Sequence, residues 1–243
     1  MFTLLKKEVS NFLSSLIGFI VIIVFLIING LFLWFIPLDF NILDYGYAGL
    51  DGLFLISPFV FLFLIPAITM RSFADERKIG TIEILLTKPL TDMQIILAKY
   101  FASIVLIVFS LLPTLIYLFT VYQLGLPKGN LDMGGIWGSY IGLLLLGAAF
   151  AAIGIFSSSI TDNQIVSFII SVFLCGSIYM GFELIYSLSL FGQFDLFIKS
   201  LGISHHYASI SRGVIDTRDI LYYLSIITFF VLLTKLSLQS RKW

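Results

Sequence analysis

Charge is what this sequence has least of. Only 12% of its 243 residues are Asp, Glu, Lys or Arg, where an ordinary soluble domain carries about a quarter. The positive and negative residues balance to a net charge of zero, so composition points to no nucleic-acid partner. A single cysteine, Cys175, stands inside an apolar run. It excludes an intramolecular disulfide and a Cys-based metal cluster, and it reads as a small buried hydrophobe. No stretch matches a phosphate-binding P-loop, a zinc-ligand pair or a hydrolase nucleophile elbow. The two histidines, His205 and His206, are adjacent. They point different ways and make a poor metal pair, and both read as solvated or interfacial. What remains is apolar: 59% of the residues are hydrophobic and 25 are Phe. A soluble protein of this size needs polar cover for its own surface, whereas lipid removes that conflict.

The few charges divide the chain into long uncharged intervals: Val9–Leu38, Gly52–Met70, Tyr100–Pro127, Met133–Thr161, Asn163–Phe182 and Ile220–Thr234. A span needs roughly 20 apolar residues at 1.5 Å rise each. The last interval is short, but Lys235 can snorkel and Leu236 and Leu238 extend it. The pattern predicts six spans near 16–36, 53–70, 101–122, 136–158, 165–187 and 220–238. They are predicted as helices, because an open strand leaves its backbone unpaired in lipid. The first interval is too long for the apolar stretch of a signal peptide and no small-residue cleavage site follows it, so it reads as a retained span.

Orientation follows from Lys and Arg. With the N-terminus inside, ten lie on inside segments and four outside (Lys128, Lys199, Arg212 and Arg218). Asp39, Asp44 and Asp51 make the first outer loop acidic. Both termini are therefore expected in the cytoplasm.

Residues 1–15 differ from the spans. Phe2, Leu5, Val9, Phe12 and Leu16 recur at helical spacing, with Lys6, Lys7, Ser10, Asn11 and Ser14 opposite. This predicts an amphipathic helix along the membrane surface; the other reading simply extends the first span. The fourth span carries a small-residue face, with Gly138 and Gly142 as a GxxxG pair and Gly147, Ala151 and Gly154 continuing it. Small residues let helix backbones approach closely, against a neighbouring span or a second protomer. Pro66 and Pro113 predict kinks. Glu183 is the one charge inside a span. It faces either a bundle cavity, as at an outer gate, or the headgroup region.

The segment between the second and third spans is the most informative. Charges through Lys78 extend the second span below the membrane, and Gly80 breaks it. Thr81 caps a short helix over 81–87 with Glu83 near its positive end, and Pro89 stops it. Thr91 then caps the third span, with Gln94 completing a capping box. Ile82, Leu85 and Leu86 beside Glu83 and Lys88 form an apolar, charged knob suited to a soluble partner; the alternative is an interfacial helix touching only lipid.

The run Glu76-Arg-Lys-x-Gly80-Thr81-Ile82-Glu83-x-Leu85-Leu86-x-x-Pro89, followed by Lys99, resembles the ABC-2 type family of ABC transporter permeases. Gly202-Ile-Ser-x-His206 and Arg212-Gly-Val-Ile-Asp216 resemble it too, as do the six spans and the amphipathic start. The resemblance implies an all-α membrane protein: a six-helix ABC-2 bundle, type V exporter-like, in a bacterial inner membrane. It implies that Thr81, Ile82, Glu83, Leu85 and Leu86 belong to a coupling helix seated on a separate ATPase subunit. It implies a second permease half, and no cofactor of the chain's own, since ATP is bound by the partner. Within the family the chain looks most like the permease subunit associated with gliding motility, and next like the permease of copper-site maturation for nitrous oxide reductase.

Three classes of function stand beside each other. One is the membrane half of an ABC transporter, and a second is a non-transporting scaffold moved by an ATPase. The third is a secondary carrier, which places charges or broken helices near the bilayer midplane; nearly charge-free spans weigh against it.

Overall fold

A computed structural model describes residues 1–38, 41–44, 46–81, 90–189 and 192–240. Among these residues every regular element is helical. The chain opens with α1 (Phe2–Ser14) and α2 (Leu16–Trp34). The axis of α1 meets that of Gly18–Trp34 at 60°. The bend has a local cause. Ser15 leaves the helical region (φ −87°, ψ 145°) and its side chain caps the new helix, accepting from the Gly18 amide at 3.2 Å. A Cβ on Gly18 would stand 2.0 Å from the Phe12 carbonyl oxygen, so only glycine permits this corner.

The next run comprises α3 (Asp51–Thr69) and α4 (Arg71–Lys78), with a break at Met70. Pro66 sits inside α3, four residues before that break; it has no amide to donate. Then come α5 (Asp92–Leu111), a 3₁₀ turn at Leu112–Thr114 around Pro113, and α6 (Leu115–Leu124). α7 (Met133–Ile160) is followed by α8 (Gln164–Gly176), a π turn at Ser177–Gly181 and α9 (Phe182–Ser187). Two short helices, α10 (Asp195–Ser200) and α11 (Ile203–Ile210), lead to α12 (Thr217–Gln239). Among the described residues five helical runs are long and apolar enough to cross a membrane, and a sixth results if the bent α1–α2 pair is one span.

α7 is the axis of the bundle. It packs against α3, α4, α5, α8, α11 and α12, and Leu143, Leu146, Ala149, Phe150, Ala151 and Ile153 are fully buried. Its small residues set the distances. A Cβ on Gly154 would fall 1.9 Å from Thr69 Oγ1, so the Thr69 side chain of α3 sits directly on the α7 backbone. The Gly138–Gly142 pair faces α11 and the turn after it: Gly138 lies against the Ile210 carbonyl and Gly213, and Gly142 against Tyr207. The question of neighbour or second protomer is thus answered for this pair by a short helix of the same chain. Ser139 Oγ donates to the Ser211 carbonyl at 3.1 Å and Tyr207 OH to the Phe54 carbonyl at 2.8 Å, locking α11 onto the bundle end. α2 joins through a Phe25–Phe61 stack at 5.0 Å and a Ser57-to-Asn29 hydrogen bond at 3.1 Å.

The outside of the bundle is apolar. Phe19, Ile20, Ile23 and Ile27 of α2, Ile165, Ile169 and Phe173 of α8, and Leu224, Phe229 and Leu232 of α12 are exposed. Such faces suit lipid, which needs no polar cover.

Candidate functional site

The densest polar cluster lies at the end of the bundle where α4 leaves and α5 returns. α4 ends as the sequence predicts, with Gly80 in the left-handed region (φ 76°) and its amide bonded to the Arg77 carbonyl at 3.0 Å. Thr81 Oγ1 donates back to the Glu76 carbonyl at 3.3 Å. α5 starts with the expected capping box: the Gln94 amide donates to Thr91 Oγ1 at 3.3 Å and the Thr91 amide to Gln94 Oε1 at 3.1 Å. Of the predicted coupling helix, Ile82, Glu83, Leu85 and Leu86 lie outside the described residues. Thr81 is described and exposed, at the outermost edge of the cluster.

The base of that segment is tied to the bundle in four directions. Ser158 of α7 is fully buried where α4 begins. Its hydroxyl oxygen accepts from the Phe73 and Ala74 amides at 2.9 and 3.0 Å and donates to the Met70 carbonyl at 3.0 Å. One side chain therefore satisfies backbone groups that the break at Met70 would leave open. Asp75 accepts from the Gln164 side-chain amide at the start of α8. Lys99 of α5, only 3% exposed, reaches Glu76 of α4 at 2.8 Å and Glu8 of α1 at 3.3 Å. Its ammonium also stands 5.2 Å from the Phe73 ring centroid, a cation–π distance.

A buried lysine between two carboxylates is held by mutual need. Removing one partner of such a pair typically costs about 3–5 kcal/mol, because a buried charge is left uncompensated. The cluster is also not self-contained. Glu76 Oε2 and all three Arg77 guanidinium nitrogens are buried with no hydrogen-bond partner among the described residues. A cleft of about 220 Å³ opens beside them, walled by Lys7, Glu8, Arg71, Asp75, Glu76 and Lys99 over Phe12 and Ile68. The arrangement of ion pairs and backbone ties joins residues 70–76 to α1, α5, α7 and α8 together.

Sequence reasoning found the segment and missed its anchors. Glu8 lies 91 residues from Lys99 and Ser158 lies 85 from Phe73, so no local pattern relates them. The available signals were a carboxylate on the amphipathic helix and three consecutive serines, Ser157 to Ser159, closing an apolar helix.

At the far end, Glu183 follows the π turn on α9 with its side chain exposed. His205 is exposed too, and burial, then the neighbouring His206 and Lys199, lower its pKa. Of the solvated or interfacial role read for His206, the solvated one does not hold: the side chain is mostly buried, with Nδ1 2.7 Å from Asp219 Oδ1. Cys175 is fully buried. Among the described residues no group of three or more His, Cys, Asp or Glu is placed to hold a metal ion.

A family model described as an ABC-2 family transporter protein matches residues 40–201, about two thirds of the chain. No curated protein matches it.

Proposed function

The chain belongs to the ABC-2 transporter family, and we propose on that premise that it is the permease half of a complex driven by a separate ATPase. The family is a membrane component, not itself the ATPase, and generally works with an ABC ATPase; the chain is a multi-pass membrane protein. The observation carrying the reading further is the four-way anchorage of residues 70–81 through Ser158, Asp75, Glu76 and Lys99. A segment fastened to α1, α5, α7 and α8 at its base is suited to receive force at its tip. Thr81, Ile82, Glu83, Leu85 and Leu86 form that tip, docked on the ATPase.

The complex has six spans per permease in a type V arrangement, with α1 lying along the cytoplasmic face of a bacterial inner membrane and both termini inside. Two permease halves, identical or not, meet in it, and the lipid- and partner-facing apolar surfaces of α2 and α8 support such pairing. It performs export or envelope-directed work. The gliding-motility branch of the family is the first reading and copper-site maturation the second; the residues of 76–99 and 202–216 carry the family and do not separate the two. Glu183, exposed next to a π turn, is the proposed outer gate.

The test is co-purification of the ATPase with the permease in detergent, together with the ATPase activity of the complex. Leu85→Asp and Glu83→Arg are expected to insert normally and to release or uncouple the ATPase. Full yield and unchanged activity for both variants would remove the docking role. Single cysteines at Lys78 and Asp162, in a Cys175→Ala background, are expected to react only with membrane-permeant reagents. Ones at Asp44 and Lys199 are expected to react from outside. Outside labelling of position 78 would reverse the topology.

A further inference from the structure

The far end of the bundle holds a second buried contact between titratable side chains, built differently from the first. The imidazole of His206, on α11, is fixed at both nitrogens. Nδ1 lies 2.7 Å from Asp219 Oδ1 and Nε2 lies 2.8 Å from the Ser200 carbonyl oxygen. The ring stacks on Tyr222 with centroids 3.8 Å apart, and the Tyr222 hydroxyl donates to the Leu201 carbonyl. Water is nearly excluded: the side chains of His206 and Asp219 are 12% and 7% exposed. Asp219 Oδ2 and the hydroxyls of Ser204 and Tyr223 are buried with no hydrogen-bond partner among the described residues.

The two partners of His206 decide its protonation. A carbonyl oxygen accepts and never donates, and an ionised carboxylate likewise only accepts. A neutral imidazole carries one N–H, so with Asp219 ionised one of its two contacts would set lone pair against lone pair. Both contacts are at hydrogen-bond distance, so the pair holds one proton more than a neutral ring beside a carboxylate. The 2.7 Å separation falls in the range of a charge-assisted N⁺–H···O⁻ bond.

We propose that His206 and Asp219 form a proton-binding site whose bound proton fastens residues 195–210 to the last long helix. With the proton in place, α10 is held through Ser200, α11 through His206 and α12 through Asp219. When it leaves, one of the two hydrogen bonds becomes a repulsion and the link between α10 and α12 through the ring opens, while α11 stays held by Ser139 and Tyr207. Charged and titratable groups near the ring include Asp219 and Tyr222 on α12 and His205 beside it. Lys199 on α10 and Arg212 after α11 act on His205, Tyr223 stands beside Asp219 and Tyr222, and α10 also carries the buried Asp195. The site stands apart from the docking segment and holds whether or not an ATPase binds there.

The whole chain has two histidines, so a ¹⁵N-histidine spectrum of the full-length protein in lipid nanodiscs resolves each ring, with His205→Asn as the assignment control. At about pH 7 the pair is expected to hold its extra proton, read as two protonated His206 nitrogens or as a protonated Asp219 carboxyl in the matching ¹³C spectrum; one unprotonated nitrogen beside an ionised Asp219 overturns the proposal. Asp219→Asn separates a bound proton from simple packing. An asparagine amide donates to Nδ1 while Nε2–H donates to Ser200, closing the contact with a neutral ring. Spin labels at Leu196 and Leu221, both exposed, read the opening. The wild-type distance distribution is expected to broaden as the pH is raised, and that of Asp219→Asn to stay unchanged. A wild-type distribution that does not move with pH, or an Asp219→Asn variant that opens like the wild type, equally overturns it.

Discussion

The two ends of this bundle solve the same problem with opposite chemistry. Each must fasten a non-spanning element to the long helices in a place with little water. At the end carrying residues 70–99 the fastening uses Lys99 between Glu8 and Glu76, one lysine with two carboxylates. At the far end it uses His206 against Asp219, and histidine is the side chain whose charge changes near neutral pH. A permanent tie suits an element that must carry force on every cycle. A conditional tie suits an element that opens and closes.

The largest effect is expected at the permanent end. Lys99→Met removes the buried ammonium that Glu8 and Glu76 share and is expected to destabilise the protein by about 3–5 kcal/mol, read as a lower unfolding midpoint in detergent. Replacing all three charges together, Lys99→Met with Glu8→Gln and Glu76→Gln, is expected to recover most of that loss. If Lys99→Met is as stable as the wild type, the cluster is not a tie. Gly154→Val comes next. Its side chain would enter space held by Thr69, and overpacking of this kind costs about 1–3 kcal/mol; Gly134→Ala, near open surface beside Asp132, serves as the contrast. Ser158→Ala strips the Phe73 and Ala74 amides of their acceptor and is expected to cost about 1–3 kcal/mol. The smallest effect belongs to Glu183→Gln. With the side chain exposed, stability is expected to hold within about 0.5 kcal/mol, so a change in transport-linked ATPase activity there would report on gating alone.

Much of the helical framework was legible because charge is so scarce. Where few polar residues occur, each one marks a boundary: Thr91 with Gln94 opens α5, Gly80 closes α4, and the spacing of Phe2, Leu5, Val9 and Phe12 marks α1 as a helix. Both fastenings were hidden for a physical reason. Local periodicity reports which face of a helix is apolar, and it carries no information on which distant helix that face meets. Lys99 read as the charge that starts an interval, while in the fold it is among the most buried side chains. Asp219 read as the edge of the last span, and His206 as a loop histidine. The small residues of α7 were visible as a face, but their partners, Thr69, Ile107 and α11, were not.

The central claim is that movement of residues 79–91 is transmitted to the bundle through the Ser158 and Lys99 ties. It is tested most directly by spin labels at Lys6 on α1 and Ile165 on α8, both exposed, in the complex with its ATPase, with and without nucleotide. The wild type is expected to shift its distance distribution on nucleotide binding. Ser158→Ala is expected to keep the ATPase bound and hydrolysing while the shift shrinks or disappears. An undiminished shift in Ser158→Ala, or a wild-type bundle that does not move when the ATPase cycles, would contradict the account.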